Sequence, residues 1–152
     1  MKKFLVISFI SFAIIFSATA QERNYQNAIG IRLGPSVPVI KSGISFQHFL
    51  ANNNAVEGIV SFGDGLGLCA LYEIHKTLPV NNLGWYIGFG GYVGASKLAT
   101  NVGGAGIVGL QYDFNAQNLP LNLSLDWKPE LNIVEKVGFE GSGVGFTARF
   151  TF

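Results

Sequence analysis

Apolar side chains recur at every second position through segment after segment of this chain, and that period is what most limits the folds open to it. Successive side chains of a strand point to opposite faces, so a period of two means β-sheet with one apolar and one polar face. The closing stretch is the clearest: Val144, Phe146, Ala148, Phe150 and Phe152 fall on one face, and Gly145, Thr147, Arg149 and Thr151 on the other. Leu119, Leu121, Leu123, Leu125 and Trp127 are likewise set against Asn122, Ser124, Asp126 and Lys128. Six further segments follow the rule less cleanly. Ile29, Ile31 and Leu33 alternate with Gly30 and Arg32; Ile44, Phe46, His48 and Leu50 with Ser45 and Gln47; Val56, Val60 and Phe62 with Glu57 and Ser61. Leu66, Leu68, Ala70, Tyr72 and Ile74 oppose Gly67, Cys69, Glu73 and His75; Trp85, Ile87, Phe89 and Val93 oppose Tyr86, Gly88, Gly90, Tyr92 and Gly94; Val108, Leu110, Tyr112 and Phe114 oppose Gly109, Gln111 and Asp113.

The segments are separated by breakers: Gly34-Pro35 to Gly43, Asn52-Asn53-Asn54, Gly63-Asp64-Gly65, Pro79 to Asn82, Ser96 to Gly103, Asn115 to Asn118 and Glu135 to Gly143. Eight strands joined in order predict an all-β, eight-stranded antiparallel up-and-down barrel, the smallest usual closure. An even antiparallel set closes on itself and leaves no edge, which a sheet facing lipid must do because unsatisfied backbone groups are too costly there.

Alternation alone fits two opposite objects: a soluble lipocalin-like cup with an apolar lumen, or a transmembrane barrel with its apolar face outward. The polar face points to the second. It mixes Arg32, Glu57, Glu73, Asp113, Asp126 and Arg149 with Gly30, Gly67, Gly88, Gly90, Gly94, Gly109 and Gly145, and small beside large is how a narrow interior fills. On a water-facing exterior those glycines would weaken strands and pack against nothing. Charged residues make up only 12% of the chain, sparse for a soluble surface. Trp85, Tyr112, Phe114, Phe150 and Phe152 fall near strand ends that a meander puts on one rim, where aromatic girdles sit.

The N-terminus has the form of a secretory signal peptide: Lys2 and Lys3, an apolar run from Phe4 to Phe16, then Ser17-Ala18-Thr19-Ala20 ahead of Gln21. That run is too short to span a bilayer, which takes about 20 residues. The expected organisation is a cleaved signal over 1–20 and one barrel domain over 21–152. The signal holds two of the ten basic residues and none of the nine acidic ones, so the mature chain carries 8 − 9 = −1. So even a balance argues against a nucleic-acid partner. Cys69 is the lone cysteine and reads as a small buried filler.

Several stretches carry a resemblance. Ala28-Ile29-Gly30-Ile31-Arg32-Leu33-Gly34, Glu57-Gly58-Ile59, Gly109-Leu110-Gln111-Tyr112-Asp113-Phe114, Pro120-Leu121-Asn122-Leu123-Ser124-Leu125-Asp126-Trp127-Lys128-Pro129 and Ala148-Arg149-Phe150-Thr151-Phe152, in that order, make the chain similar to the small outer-membrane β-barrel proteins common in Bacteroidetes. In architecture it resembles the eight-stranded OmpA and OmpX-type barrels of Gram-negative cells, over residues 28–152. The resemblance implies residence in the cell outer membrane, contact with its lipid and lipopolysaccharide, and delivery by the outer-membrane insertion machinery. It also implies that Phe150 and the terminal Phe152 form the insertion signal. Both termini, with the turns at 51–54, 77–83 and 115–118, would then be periplasmic. The connections near 34–43, 63–65, 96–103 and 129–143 would face outward.

The six inward charges come from six strands and share one lumen. Charges removed from water are tolerated when paired and hydrogen-bonded. The expectation is an interior polar network in which Arg32 and Arg149, on strands adjacent at the closure, are flanked by Glu57, Glu73, Asp113 and Asp126. Catalysis is not expected, although some similar barrels act on lipid A, because such chemistry needs a positioned nucleophile and base. His48 and His75 stand in no recognisable pairing with a serine, and two isolated histidines make a poor metal site. Gly88-Phe89-Gly90-Gly91 and Gly103-Gly104-Ala105-Gly106 lack the lysine and strand-to-helix setting of a phosphate loop. No cofactor is implied. The segment 129–143, with Lys128 beside it and Glu130, Glu135, Lys136 and Glu140 within it, is the expected place for a surface partner. The role that follows is structural, envelope-stabilising or adhesive, with a narrow-pore channel or transporter as the alternative.

Overall fold

The computed structural model describes residues 23–35, 39–63, 65–96, 99–134 and 137–152; the expected signal peptide over 1–20 lies outside them. Among the described residues ten strands form: β1 (Asn27–Leu33), β2 (Gly43–Phe49), β3 (Asn54–Phe62), β4 (Gly65–Thr77), β5 (Leu83–Ser96), β6 (Thr100–Asp113), β7 (Leu121–Trp127), β8 (Glu130–Asn132), β9 (Gly138–Glu140) and β10 (Val144–Thr151). Each of β1 to β6 pairs antiparallel with the next, and β10 lies between β7 and β1, with Ala28 opposite Thr151. The wall is thus a closed eight-stranded antiparallel barrel of β1 to β7 and β10, as the alternation implied.

The strands tilt as they close. From Ala28 the row of register partners runs through Gln47, Glu57, Leu71, Gly90, Ala105 and Glu130 to Glu140, far along the chain from Thr151, which Ala28 also faces. Rows that climb in this way are the shear that lets eight strands tilt by about 35–45° and close around a core just wide enough for side chains.

Three short turns line the rim that also holds the strand end at Asn27 and the terminal Phe152, whose backbones bond to one another. They are tight because asparagine takes the left-handed region at little cost: Asn52, Asn53, Asn82 and Asn118 have φ between 60° and 66°. The aromatics expected at one rim are there, with the Tyr112 and Phe114 rings 4.7 Å apart and those of Phe150 and Phe152 6.2 Å apart.

At the opposite rim the sequence reading needs correction. Where a charged loop was expected over 129–143, its described residues form a second storey of the wall, β8 and β9. β8 continues β7 along β6 in the same register across Lys128-Pro129, and β9 folds back on β8. Residues 141–143 return the chain to β10, pinned where the Trp127 indole N–H donates to the Gly141 carbonyl at 2.7 Å. The connection between β1 and β2 is not simply outward either: Val39 and Ile40 lie in the mouth, and Ile40 is buried.

The faces divide as alternation requires. Arg32, Gln47, Glu57, Glu73, Asp126 and Arg149 are buried in the lumen, whereas Ile31, Leu68, Phe89 and Leu125 are exposed on the outer wall. Lumen glycines make the room. A Cβ on Gly145 would sit 2.3 Å from Arg32 Nη2, whereas one on outward-facing Gly58 would meet nothing within 4 Å. Gly145→Ala should therefore cost about 1–3 kcal/mol through overpacking, and Gly58→Ala should be close to neutral. Denaturant titration of the folded barrel followed by circular dichroism checks both.

Candidate functional site

The candidate site is the lumen itself, built in three levels. At its middle stand two ion pairs. Arg32 from β1 meets Asp126 from β7 in a fork, Nη1 to Oδ2 at 2.5 Å and Nη2 to Oδ1 at 2.6 Å, a planar bidentate match. Arg149 from β10 pairs with Glu57 from β3. Its Nε donates to Ser45 Oγ and its Nη1 to Ser124 Oγ, each at 2.8 Å, while the Ser45 hydroxyl donates to Glu57 at 2.5 Å. All four charged side chains are at most 1% exposed. Neither pair joins neighbouring strands, so each ties the wall to itself across the lumen.

Beside them, Glu73 accepts from Gln47 Nε2 at 2.7 Å and lies 2.9 Å from His75 Nε2. The His75 ring is stacked on Tyr86, with centroids 5.0 Å apart, and meets the Phe49 ring edge-on. With the Gln111 amide oriented to suit its neighbours, its nitrogen donates to His75 Nδ1 at 3.2 Å and its oxygen accepts from Arg23. Nδ1 is then an acceptor, which puts the ring proton on Nε2, facing Glu73.

The turn rim is closed by residues ahead of β1. Tyr25 is 8% exposed; its hydroxyl donates to Asp113 Oδ1 at 2.6 Å and accepts from Arg23 Nη1 at 2.8 Å. Asn122 Nδ2 donates to the same Asp113 oxygen at 2.6 Å. The Arg23 guanidinium lies 3.8 Å from the centre of the Phe49 ring, and Tyr25 packs edge-on against that ring. Burial pushes the Tyr25 phenol above its ordinary value, so it remains a hydroxyl and keeps donating to Asp113.

At the hairpin rim, Glu130 accepts the backbone N–H groups of Val39 at 2.8 Å and Ile40 at 3.1 Å and pairs with the Lys128 ammonium. These bonds hold Val39 and Ile40 inside the mouth. Ile40 packs into a cluster with Ile59, Cys69, Leu71, Tyr92 and Ile107. The wall is cut to fit, since a Cβ on Gly94 would lie 2.2 Å from Val39 Cγ1.

The six residues named from sequence therefore do not form one cluster. Arg32 with Asp126 and Arg149 with Glu57 make the central pairs, Glu73 stands beside them, and Asp113 belongs to the rim closure with Tyr25 and Arg23. Lys128 and Glu130, expected as surface groups, are a buried pair at 1% and 2% exposure. The signal for them was present: Asp126, Lys128, Glu130 and Asn132 keep the two-residue period straight across Pro129. Cys69 is buried, as its reading as a filler implied. His48 is on the outer wall, its Nδ1 2.8 Å from Asn27 Oδ1. Phe150 and Phe152 are exposed outside. Among the described residues no three of His, Cys, Asp and Glu gather as metal ligands would.

Compared with known proteins, the chain matches no family model and no curated sequence.

Removing one partner of a buried pair leaves the other charge uncompensated, whereas replacing both by apolar groups removes the problem. Arg149→Leu should lower the unfolding free energy by about 3–5 kcal/mol, and adding Glu57→Leu should restore much of that loss. Urea titrations of the two variants beside the parent check it. Equal losses in the single and double variants would show that the pair is not what Arg149 contributes.

Proposed function

We propose that the protein is an integral outer-membrane barrel, exported by a signal peptide cleaved after Ala20, whose role is structural, envelope-stabilising or adhesive. One observation carries the reading: the barrel is inverted relative to a soluble protein. Arg149 and Glu57 are fully buried, while Phe89 is 69% and Ile31 63% exposed on the outer wall. Soluble monomers rarely expose a contiguous apolar patch beyond a few hundred Å², and here the outer face is apolar on every strand of the wall. A lipid exterior turns that liability into the stabilising term, and closure removes the edges lipid would not tolerate.

The filled lumen supports a structural role over transport. A solute crossing the barrel would have to pass the Tyr25 closure, break the Arg32 and Arg149 pairs and displace Ile40. A soluble cup would need an apolar lumen with room for its ligand, and the Arg32 and Arg149 pairs occupy the middle of this one.

Gel migration of the mature protein in detergent, boiled against unboiled, tests the membrane reading. A heat-dependent shift with strand circular dichroism is expected; a protein that stays soluble without detergent and shows no shift would overturn it. Planar-bilayer recordings should show no steady channel conductance, and unitary events would instead favour the narrow pore. If Phe150 and Phe152 form the insertion signal, ending the chain at Thr151 should lower the heat-shifting fraction in cell envelopes several-fold. An unchanged fraction would remove that role from Phe152.

A further inference from the structure

The two-residue period does not stop where the eight-stranded wall stops. On β7 and β8 the outward positions run Leu125, Trp127, Pro129, Leu131 and Ile133, while Asp126, Lys128, Glu130 and Asn132 face inward. β9 repeats the division, with Phe139 opposite Leu131 and Glu140 opposite Glu130. The hairpin thus keeps a polar face toward the barrel mouth, where Glu130 holds Val39 and Ile40, and a bare apolar face away from it. Leu131 is 47%, Ile133 59%, Phe139 68% and Val137 76% exposed.

A hairpin standing in water gains nothing from such a face, because apolar side chains stabilise only where they leave water, and a contiguous exposed apolar patch marks a surface that something else covers. Its apolar face is continuous with the outer wall, with no polar outward residue between Leu125 and Ile133. Along one strand that run, at about 3.4 Å per residue, is roughly 41 Å from Leu121 to Ile133. The outward run on β1, from Ile29 to Leu33, is only about 14 Å. The apolar wall is therefore much longer on the hairpin side, and about 20 Å of the difference is the stretch beyond Trp127.

We infer that the β8–β9 hairpin is a lipid-docking flap, whose outward face lies against the acyl chains of the outer leaflet instead of rising into solvent. This rests on the outer-membrane reading and adds how the barrel sits: it is gripped more deeply on the β6–β9 side than at β1. Continuity with the wall is what selects lipid over a second copy of the chain as the occupant.

Site-directed spin labelling of the full mature protein in phosphatidylcholine vesicles tests it, in a Cys69→Ala background. Nitroxides are placed through Phe139→Cys and Leu131→Cys on the flap and Phe89→Cys on the barrel wall. Relaxation by oxygen, which partitions into lipid, is compared with relaxation by a water-soluble nickel chelate. Labels at 139 and 131 are expected to favour oxygen several-fold, as the label at 89 does. If 89 favours oxygen while 139 and 131 favour the chelate, the flap stands in water and the inference falls with the membrane reading intact. If 139 and 131 are shielded from both agents, a protein partner or second copy covers the flap and the inference falls as well. If 89 itself favours the chelate, the membrane reading fails and takes this one with it.

Discussion

Two arginines held in the centre of the lumen are the interaction on which the rest of this structure leans. Arg32 reaches from β1 to Asp126 on β7, and Arg149 from β10 to Glu57 on β3, so each crosses the interior between strands that share no backbone ladder. A barrel wall held only by its ladders can shift register or flatten; these pairs join strands that have one (β10) or two (β1 and β2) strands between them, through groups that cannot be left unpaired once buried. The cost of breaking one is larger than the value of making it, because the abandoned charge has no water to return to. That asymmetry makes each pair costly to lose without making it a large source of stability.

The levels above and below follow from the same requirement. A polar lumen open at its ends would let water in and weaken the central pairs by raising the local dielectric. Both mouths are filled from within the chain, Arg23 and Tyr25 closing the turn rim over Phe49 and Asp113, and Ile40 closing the hairpin rim under the hold of Glu130. Glycine positions such as Gly145 and Gly94 are the counterpart, removing side chains where Arg32 and Val39 have to fit. The outer wall then has no polar work left to do.

Much of this was legible in the residues because a strand writes its two faces into its sequence. The period-two pattern identified eight strands, placed Arg32, Glu57, Glu73, Asp126 and Arg149 inward and put the aromatics on a common rim. It failed where a breaker was taken as a boundary. Pro129 interrupts the strand signal without ending the strand: it gives up the one ladder bond its N–H would have made to Gly106, but its own carbonyl still accepts from Gly106 and the register runs on unchanged. Lys128 and Glu130 were consequently read as surface charges, although their spacing already matched Asp126. Tyr25 and Arg23 were missed for a different reason: they precede the first strand, follow no period, and are functional only because the closed barrel presents Phe49, Asp113 and Gln111 to them.

The sequence by itself determined the strand period, the sidedness of every strand, and hence a closed antiparallel wall, because alternation and turn chemistry are local properties. Partner choice was not local. Which carboxylate each arginine meets depends on shear, which carries the row through Ala28 to Glu130 and sets Asp126 within reach of Arg32 while Asp113 is left at the rim. The placing of Val39 and Ile40 in the mouth and the second storey formed by β8 and β9 were likewise decided only in three dimensions. The first depends on Glu130, whose carboxylate has no significance along the chain until closure brings the amides of Val39 and Ile40 to it.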